Sequence, residues 1–216
     1  MGIALDKSNT VNLSKNQVVN LSKKAPGMKN IIIGLGWDEA KQTSNNNKGF
    51  FGKLFGTSES PTESIDCDAF AVMLENGKLK TSGDVVYFGN LNHRSSSIVH
   101  TGDNLTGEGE GDDEQLIIKT DLIPKNIDKV ILAVNVYKGR SKGQHFGKIE
   151  NAFIHLIDQD RSSEVCRYDL SNGAYNGYIT VIFGELYKES DGSWNFRAVG
   201  EGDTAESISA FTSKYC

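Results

Sequence analysis

The 216 residues include only three cysteines, Cys67, Cys166 and Cys216, widely separated and with no C-x-x-C among them. So sparse and odd a set excludes a disulfide framework and a thiolate zinc site, and it fits a reducing compartment. No apolar run approaches the ~18 to 20 residues that span a bilayer. Near Met1 the only apolar stretch, Ile3 to Leu5, is interrupted at Asp6, so no signal peptide is expected there. Asp6 also stands where myristoylation of Gly2 would need Ser or Thr. These absences lead to the expectation of a cytoplasmic protein. Positive charge is in deficit as well, with 23 Lys and Arg against 28 Asp and Glu and a formal net charge of -5. That balance argues against a protein whose business is coating nucleic acid or anionic lipid.

Helical periodicity is also scarce. Instead, short apolar runs alternate with glycine and asparagine turns: Ile31 to Trp37, Ala69 to Leu74, Val85 to Phe88, Gln115 to Lys119, Lys129 to Tyr137, Asn151 to Ile157, Glu164 to Asp169, Tyr178 to Phe183 and Asn195 to Val199. Asn76-Gly77 and Asp191-Gly192 read as hairpin turns. The pattern predicts a mainly β fold, a β-sandwich formed by residues 1–216 as a single domain. V-N-L-S-K occurs twice, from Val11 and from Val19, and eight residues is too short a period for a solenoid. The two copies predict two β-segments. A short C-terminal helix is expected, with Asp203 as cap, Glu206 three residues on, and Ile208, Phe211 and Tyr215 on its apolar face. Residues 41–64 change composition to Ser, Thr, Asn, Lys and Gly and read as a flexible insertion. Its apolar island, Phe50 to Phe55, is either part of that insertion or a docking motif for a membrane surface or partner.

Charge of one sign is wholly missing from Thr101 to Gln115. This stretch carries Asp103, Glu108, Glu110, Asp112, Asp113 and Glu114 with four glycines and no lysine or arginine. Two carboxylates ~4 Å apart repel by roughly 1 kcal/mol in water and ~4 kcal/mol near a protein surface. A compact loop with six therefore calls for a cation, and oxygen donors on a glycine-rich backbone suit Ca²⁺. Asp103, Asn104, Asp112, Asp113 and Glu114 supply side-chain oxygens, while Gly107, Gly109 and Gly111 let backbone carbonyls turn inward. Glu108 and Glu110 are expected to face solvent. Further oxygens come from Asp66 and Asp68, i and i+2 on a predicted strand, and from Asp38 at the end of another. These groups are enough to serve two ions.

Competing motifs fail on particular residues. An EF-hand starting at Asp103 would meet Leu105 where an oxygen donor is needed. Repeat-in-toxin calcium nonapeptides need many stacked copies, and a phosphate cradle would be repelled by the surrounding acids. The bland reading is a solvated acidic loop that binds nothing. None of His93, His100, His145 and His155 sits in a G-x-S-x-G or H-E-x-x-H setting, so no enzyme is expected. His100, directly before the acidic loop, is the candidate base for the alternative, a metal-dependent hydrolase in which the bound ion activates water.

H-T-G-D-N-L-T-G-E-G-E-G-D-D-E (His100 to Glu114), G-L-G-W-D (Gly34 to Asp38), F-G-K-I-E-N-A-F-I (Phe146 to Ile154) and the close from Phe183 to Gly200 together resemble the TerD family of tellurium-resistance and stress proteins. The resemblance implies a β-sandwich with Ca²⁺ at one end and a role in bacterial resistance to tellurite and other stresses. The family's ligands fall here on Asp66 and Asp68 and on Asp103, Asn104, Gly107, Gly109, Asp112, Asp113 and Glu114, with Asp38 closing G-L-G-W-D. Cys67 stands where the family commonly has Leu, and the 41–64 insertion is longer than in the simplest members. The expectation is thus a calcium-binding, non-enzymatic stress-response protein. Its ion-ordered loops would face other stress-resistance proteins at the membrane surface, and no nucleic acid is expected as partner.

Overall fold

The apolar runs form the facing layers of two six-stranded sheets in the computed structural model, which describes residues 5–39, 65–102, 112–170 and 174–216. In chain order the elements are β1 (Val11–Asn12), β2 (Val18–Asn20), α1 (Leu21–Lys24), β3 (Asn30–Glu39), β4 (Cys67–Leu74), β5 (Val85–Val86), β6 (Ile98–His100) and β7 (Glu114–Lys119). They continue with β8 (Lys129–Val136), α2 (Gly139–Lys142), β9 (Ile149–Asp158), β10 (Ser163–Asp169), β11 (Thr180–Lys188), β12 (Trp194–Asp203) and α3 (Ile208–Thr212). The first sheet runs β1-β10-β9-β3-β7-β6 and the second β2-β12-β11-β8-β4-β5.

Side-chain alternation decides which residues fill the space between the sheets. On β7, Glu114, Leu116 and Ile118 point inward while Gln115, Ile117 and Lys119 stay half-exposed. β4 is buried on both faces. Its Cys67, Ala69, Ala71 and Met73 join the inter-sheet core, whereas Phe70, Val72 and Leu74 join a second cluster beneath α3. Phe211 of α3 meets Phe70 edge-on, with ring centroids 5.3 Å apart. Each such large side chain contributes roughly 1.5–3 kcal/mol when fully buried.

The turns explain the register. Asn76 and Gly77 take φ of 52° and 75° and close the Glu75–Lys78 bridge, the left-handed pair that a two-residue hairpin turn requires. Gly192, at φ 84°, turns β11 into β12. The two V-N-L-S-K copies do supply β-segments, but to opposite sheets: β1 pairs with β10 and β2 with β12. The second copy then ends in α1, which Asn20 caps by accepting the Lys23 amide.

Two expectations need correction. β5 stops at Val86, because Tyr87 turns back to bridge Asn90. The helix cap is Ser207, which accepts the Ala210 amide; Asp203 still belongs to β12, paired with Thr180. Its carboxylate accepts the Ala205 amide and meets Lys214. The 41–64 stretch, with its phenylalanines, lies outside the described residues.

Candidate metal centre

β4 begins where its neighbour on one side has run out. β5 pairs only with Ala71 and Val72, so the peptide groups of Ala69 on that edge need other partners. Two side chains from the first sheet supply them. Glu114 accepts the Ala69 amide at 2.5 Å, and His100 Nε2 lies 3.1 Å from the Ala69 carbonyl. Gly102 donates its amide to His100 Nδ1, which places the ring hydrogen on Nε2, facing Ala69. Glu114 and His100 are both buried, 3.4 Å apart, and together they stitch the sheets at this end.

The D-x-D pair lies on the other side of β4. Asp68 shares the outer face with Phe70 and stands opposite Asn135 of β8. Asp66 keeps the two-residue repeat, since its carbonyl accepts the Tyr137 amide and extends the ladder. At the end of β3, a bulge between Gly36 and Asp38 lets the Trp37 amide reach Asp113, which accepts it at 2.8 Å. Asp38 is exposed and accepts the Asn151 side-chain amide at 2.7 Å. Burial raises the Asp113 carboxyl above its ordinary value; the Trp37 hydrogen bond lowers it, and the charges of Asp38 and Asp112 raise it again.

Asp112 is held by residues that sequence reasoning did not select. Its Oδ1 lies 2.7 Å from His155 Nε2, and its Oδ2 accepts the Gln115 amide at 2.9 Å. On the far side, His155 Nδ1 is 3.3 Å from buried Glu164. This row crosses the outer face of the first sheet directly over Gly34, which is registered with both His155 and Gln115. A Cβ on Gly34 would come within 2.1 Å of Asp112 Oδ2 and 2.4 Å of His155 Nε2. A glycine inside an apolar strand is the sequence signal for such a close approach.

Asp38, Asp66, Asp68, Asp112, Asp113 and Glu114 therefore gather at one end of the sandwich in two overlapping sets. Asp66, Asp68, Asp113 and Glu114 all act on the Cys67 thiol, and Asp38 and Asp112 act on Asp113. Among the described residues, no group of three or more His, Cys, Asp or Glu is already drawn together as a metal shell. Asp103, Asn104, Gly107 and Gly109 lie outside the described residues. In donor type and charge, the residues present fit a hard, oxygen-seeking cation: all six of these acids offer carboxylate oxygens, and the charges of Asp38 and Asp112 add to the upward push that burial gives Asp113. They do not fit a thiophilic one. Burial first, then the surrounding acids, push the Cys67 thiol far up, and burial takes Cys166 to about 12.

Two measurements follow from these environments. In the native protein a thiol reagent at pH 8 should label Cys216, the exposed one, and reach Cys67 and Cys166 only in denaturant. Rapid labelling of all three would contradict the burial. In excess chelator, Asp113→Asn should melt at a higher temperature than the parent at pH 7. A carboxyl raised on folding contributes stability that is complete below its ordinary value of 3.8 and lost as pH rises through the folded value. The advantage of the variant should therefore shrink toward pH 3.5, and a constant difference across that range would contradict the assignment.

A TerD domain model matches residues 9–215. The stress response protein SCP2 of Bacillus subtilis (strain 168) is 42% identical over 205 residues, covering 95% of this chain and 98% of that protein. The tellurium resistance protein TerD of Serratia marcescens is 42% identical over 194 residues, covering 89% and 91%. A crystal structure of a homologue of telluride resistance protein (TerD) from Streptomyces coelicolor A3(2) superposes with a TM-score of 0.62 at 19% identity, over 88% of this chain and 99% of that one. That likeness speaks to the fold alone.

Proposed function

Because the chain belongs to the TerD family, whose curated relatives carry the names of tellurium-resistance and stress-response proteins, we propose that it is a non-enzymatic stress protein that binds calcium at the acidic end of its sandwich. The observation that carries this reading is the placement of Asp38, Asp66, Asp68, Asp112, Asp113 and Glu114 at one end of the sandwich, where burial first and then the charges of Asp38 and Asp112 raise Asp113. A divalent cation relieves that repulsion. Asp38, Asp66, Asp68 and Asp113 would hold it, with Asp103, Asn104 and the Gly107 and Gly109 carbonyls completing the oxygen shell. Asp112 has one oxygen committed to the Gln115 amide, and its other oxygen, 2.7 Å from His155 Nε2, is the one that would join. Glu114 has one oxygen committed to Ala69. The two overlapping acid sets support two ions. Once ordered, the loops would present a surface to other stress-resistance proteins at the membrane. A pull-down with and without Ca²⁺ tests that part, and an unchanged partner set would remove the switching role.

The hydrolase alternative is disfavoured by His100. Its ring is fully buried, with one nitrogen facing the Ala69 carbonyl and the other accepting the Gly102 amide. A general base has to reach water or substrate, and this one is committed to holding two sheets together.

A further inference from the structure

The end of the sandwich opposite the acids carries the reverse charge. β3 runs from Asn30 at this end to Glu39 at the acidic one, and β7 returns antiparallel beside it, with Asn30 registered to Lys119 and Leu35 to Glu114. A cavity of about 420 Å³ opens here between α1, the turn that follows β7 and the turn from β11 into β12. Its size lies within the ~300–1,000 Å³ of small-molecule sites. Leu21, Ile31, Ile123 and Trp194 line it from inside, all of them buried members of the core between the sheets, and half-buried Met28 packs against them.

The charged residues of the lining are Lys29, Lys125, Lys188 and Asp121. Lys29 Nζ lies 3.7 Å from the Asp121 carboxylate, and both side chains are exposed. Lys188 Nζ stands 5.7 Å from the ring centre of Trp194. Neither Lys125 nor Lys188 is ion-paired to a carboxylate among the described residues. The next acids along the chain face other groups: Asp128 accepts the Asn76 amide, Glu189 the Asn195 side-chain amide and Asp191 the Ser193 amide. Three ammonium groups against one carboxylate, at the mouth of an apolar cavity, call for a ligand with a negative, hydrogen-bond-accepting head and an apolar stem.

We propose that this cavity binds a free medium-chain monocarboxylate, its head at Lys125 and Lys188 and its chain along Leu21, Ile31, Ile123 and Trp194. Asp121 already answers Lys29 and opposes a second negative charge, which selects a monoanion over a dicarboxylate. The site shares no residue with the acidic rim, so the proposal goes beyond the calcium reading and stands or falls separately from it.

The test is calorimetric titration of the whole chain in excess chelator, with resonance shifts of ¹⁵N-labelled protein to locate the contact. Octanoate should bind about ten-fold more tightly than 1-octanol or octylamine, should weaken as salt is raised, and should shift the Trp194 indole and the Gly27 and Gly192 amides. Each methylene removed from the chain should cost about four-fold, the mark of a buried stem. Lys125→Ala and Lys188→Gln should each weaken octanoate about three-fold and leave 1-octanol unchanged, while Asp121→Asn, which frees Lys29, should tighten it about two-fold. All three positions are exposed or half-exposed, so the melting temperature should stay where it is. Equal binding of 1-octanol or octylamine, octanoate shifts confined to other surfaces, or adherence to phosphatidylglycerol vesicles with no octanoate heat would each overturn the proposal, whatever the calcium titration gives.

Discussion

Replacing Glu114 by alanine should destabilise this protein by about 3 kcal/mol, in the range found when one partner of a buried polar pair is removed. The loss has two parts. The Ala69 amide, which faces no strand on that edge, would be left without its acceptor inside the sandwich. The space of a fully buried side chain would also be only partly refilled. For a domain of this size, melting falls by roughly 2–4 °C per kcal/mol, so a decrease on the order of 6 to 12 °C is expected. Glu114→Gln keeps a carbonyl oxygen for Ala69 and should lose less than half as much. Urea unfolding of both variants in chelator checks the ordering. An alanine variant within about 0.5 kcal/mol of the parent would mean that Glu114 does not stitch the sheets and is available wholly to a metal.

Calcium should produce the other large effect. At free ion ~100 times the dissociation constant, linkage adds about 2.7 kcal/mol, a melting increase on the order of 5 to 10 °C. Changing Asp112 and Asp113 together to Asn should remove most of it, because one carboxylate is crowded by neighbouring acids and the other adjoins it. Asp66→Asn and Asp68→Asn should each weaken the ion at least ten-fold, about 1.4 kcal/mol. Glu108→Gln should hardly matter if that side chain faces solvent. Thermal melts of the five proteins with calcium and with chelator give the comparison. Equal effects of Glu108→Gln and the Asp112, Asp113 change would reverse the inward and outward assignment of the loop.

The sandwich was legible because its strands obey a simple alternation. Leu116 and Ile118 are apolar where they meet the other sheet, and Gln115 and Lys119 are polar where they do not. Asn76-Gly77 and Asp191-Gly192 announce their turns for the same local reason. The helix cap was misread because Asp203 and Ser207 both look like caps, and only cross-strand pairing with Thr180 shows that the chain is still a strand at Asp203. Tertiary pairing likewise hid His155. Nothing local connects it to Asp112; the Gly34 registrations bring them together, and Gly34, a small residue in an Ile-rich run, was the one trace of it. Asp66, Asp68 and Asp113 were legible as acids at one end. Their separate orientations, outward from β4 and against the Trp37 amide, depend on which strand edges are left without neighbours.

The central claim is that the carboxylates around Asp113 tolerate one another by sharing a divalent cation. Isothermal titration of chelator-stripped protein with CaCl₂ at pH 7 tests it most directly. The account predicts saturable heat with a stoichiometry of one to two ions per chain, lost when Asp112 and Asp113 are both Asn. A flat titration from the folded parent protein would contradict it.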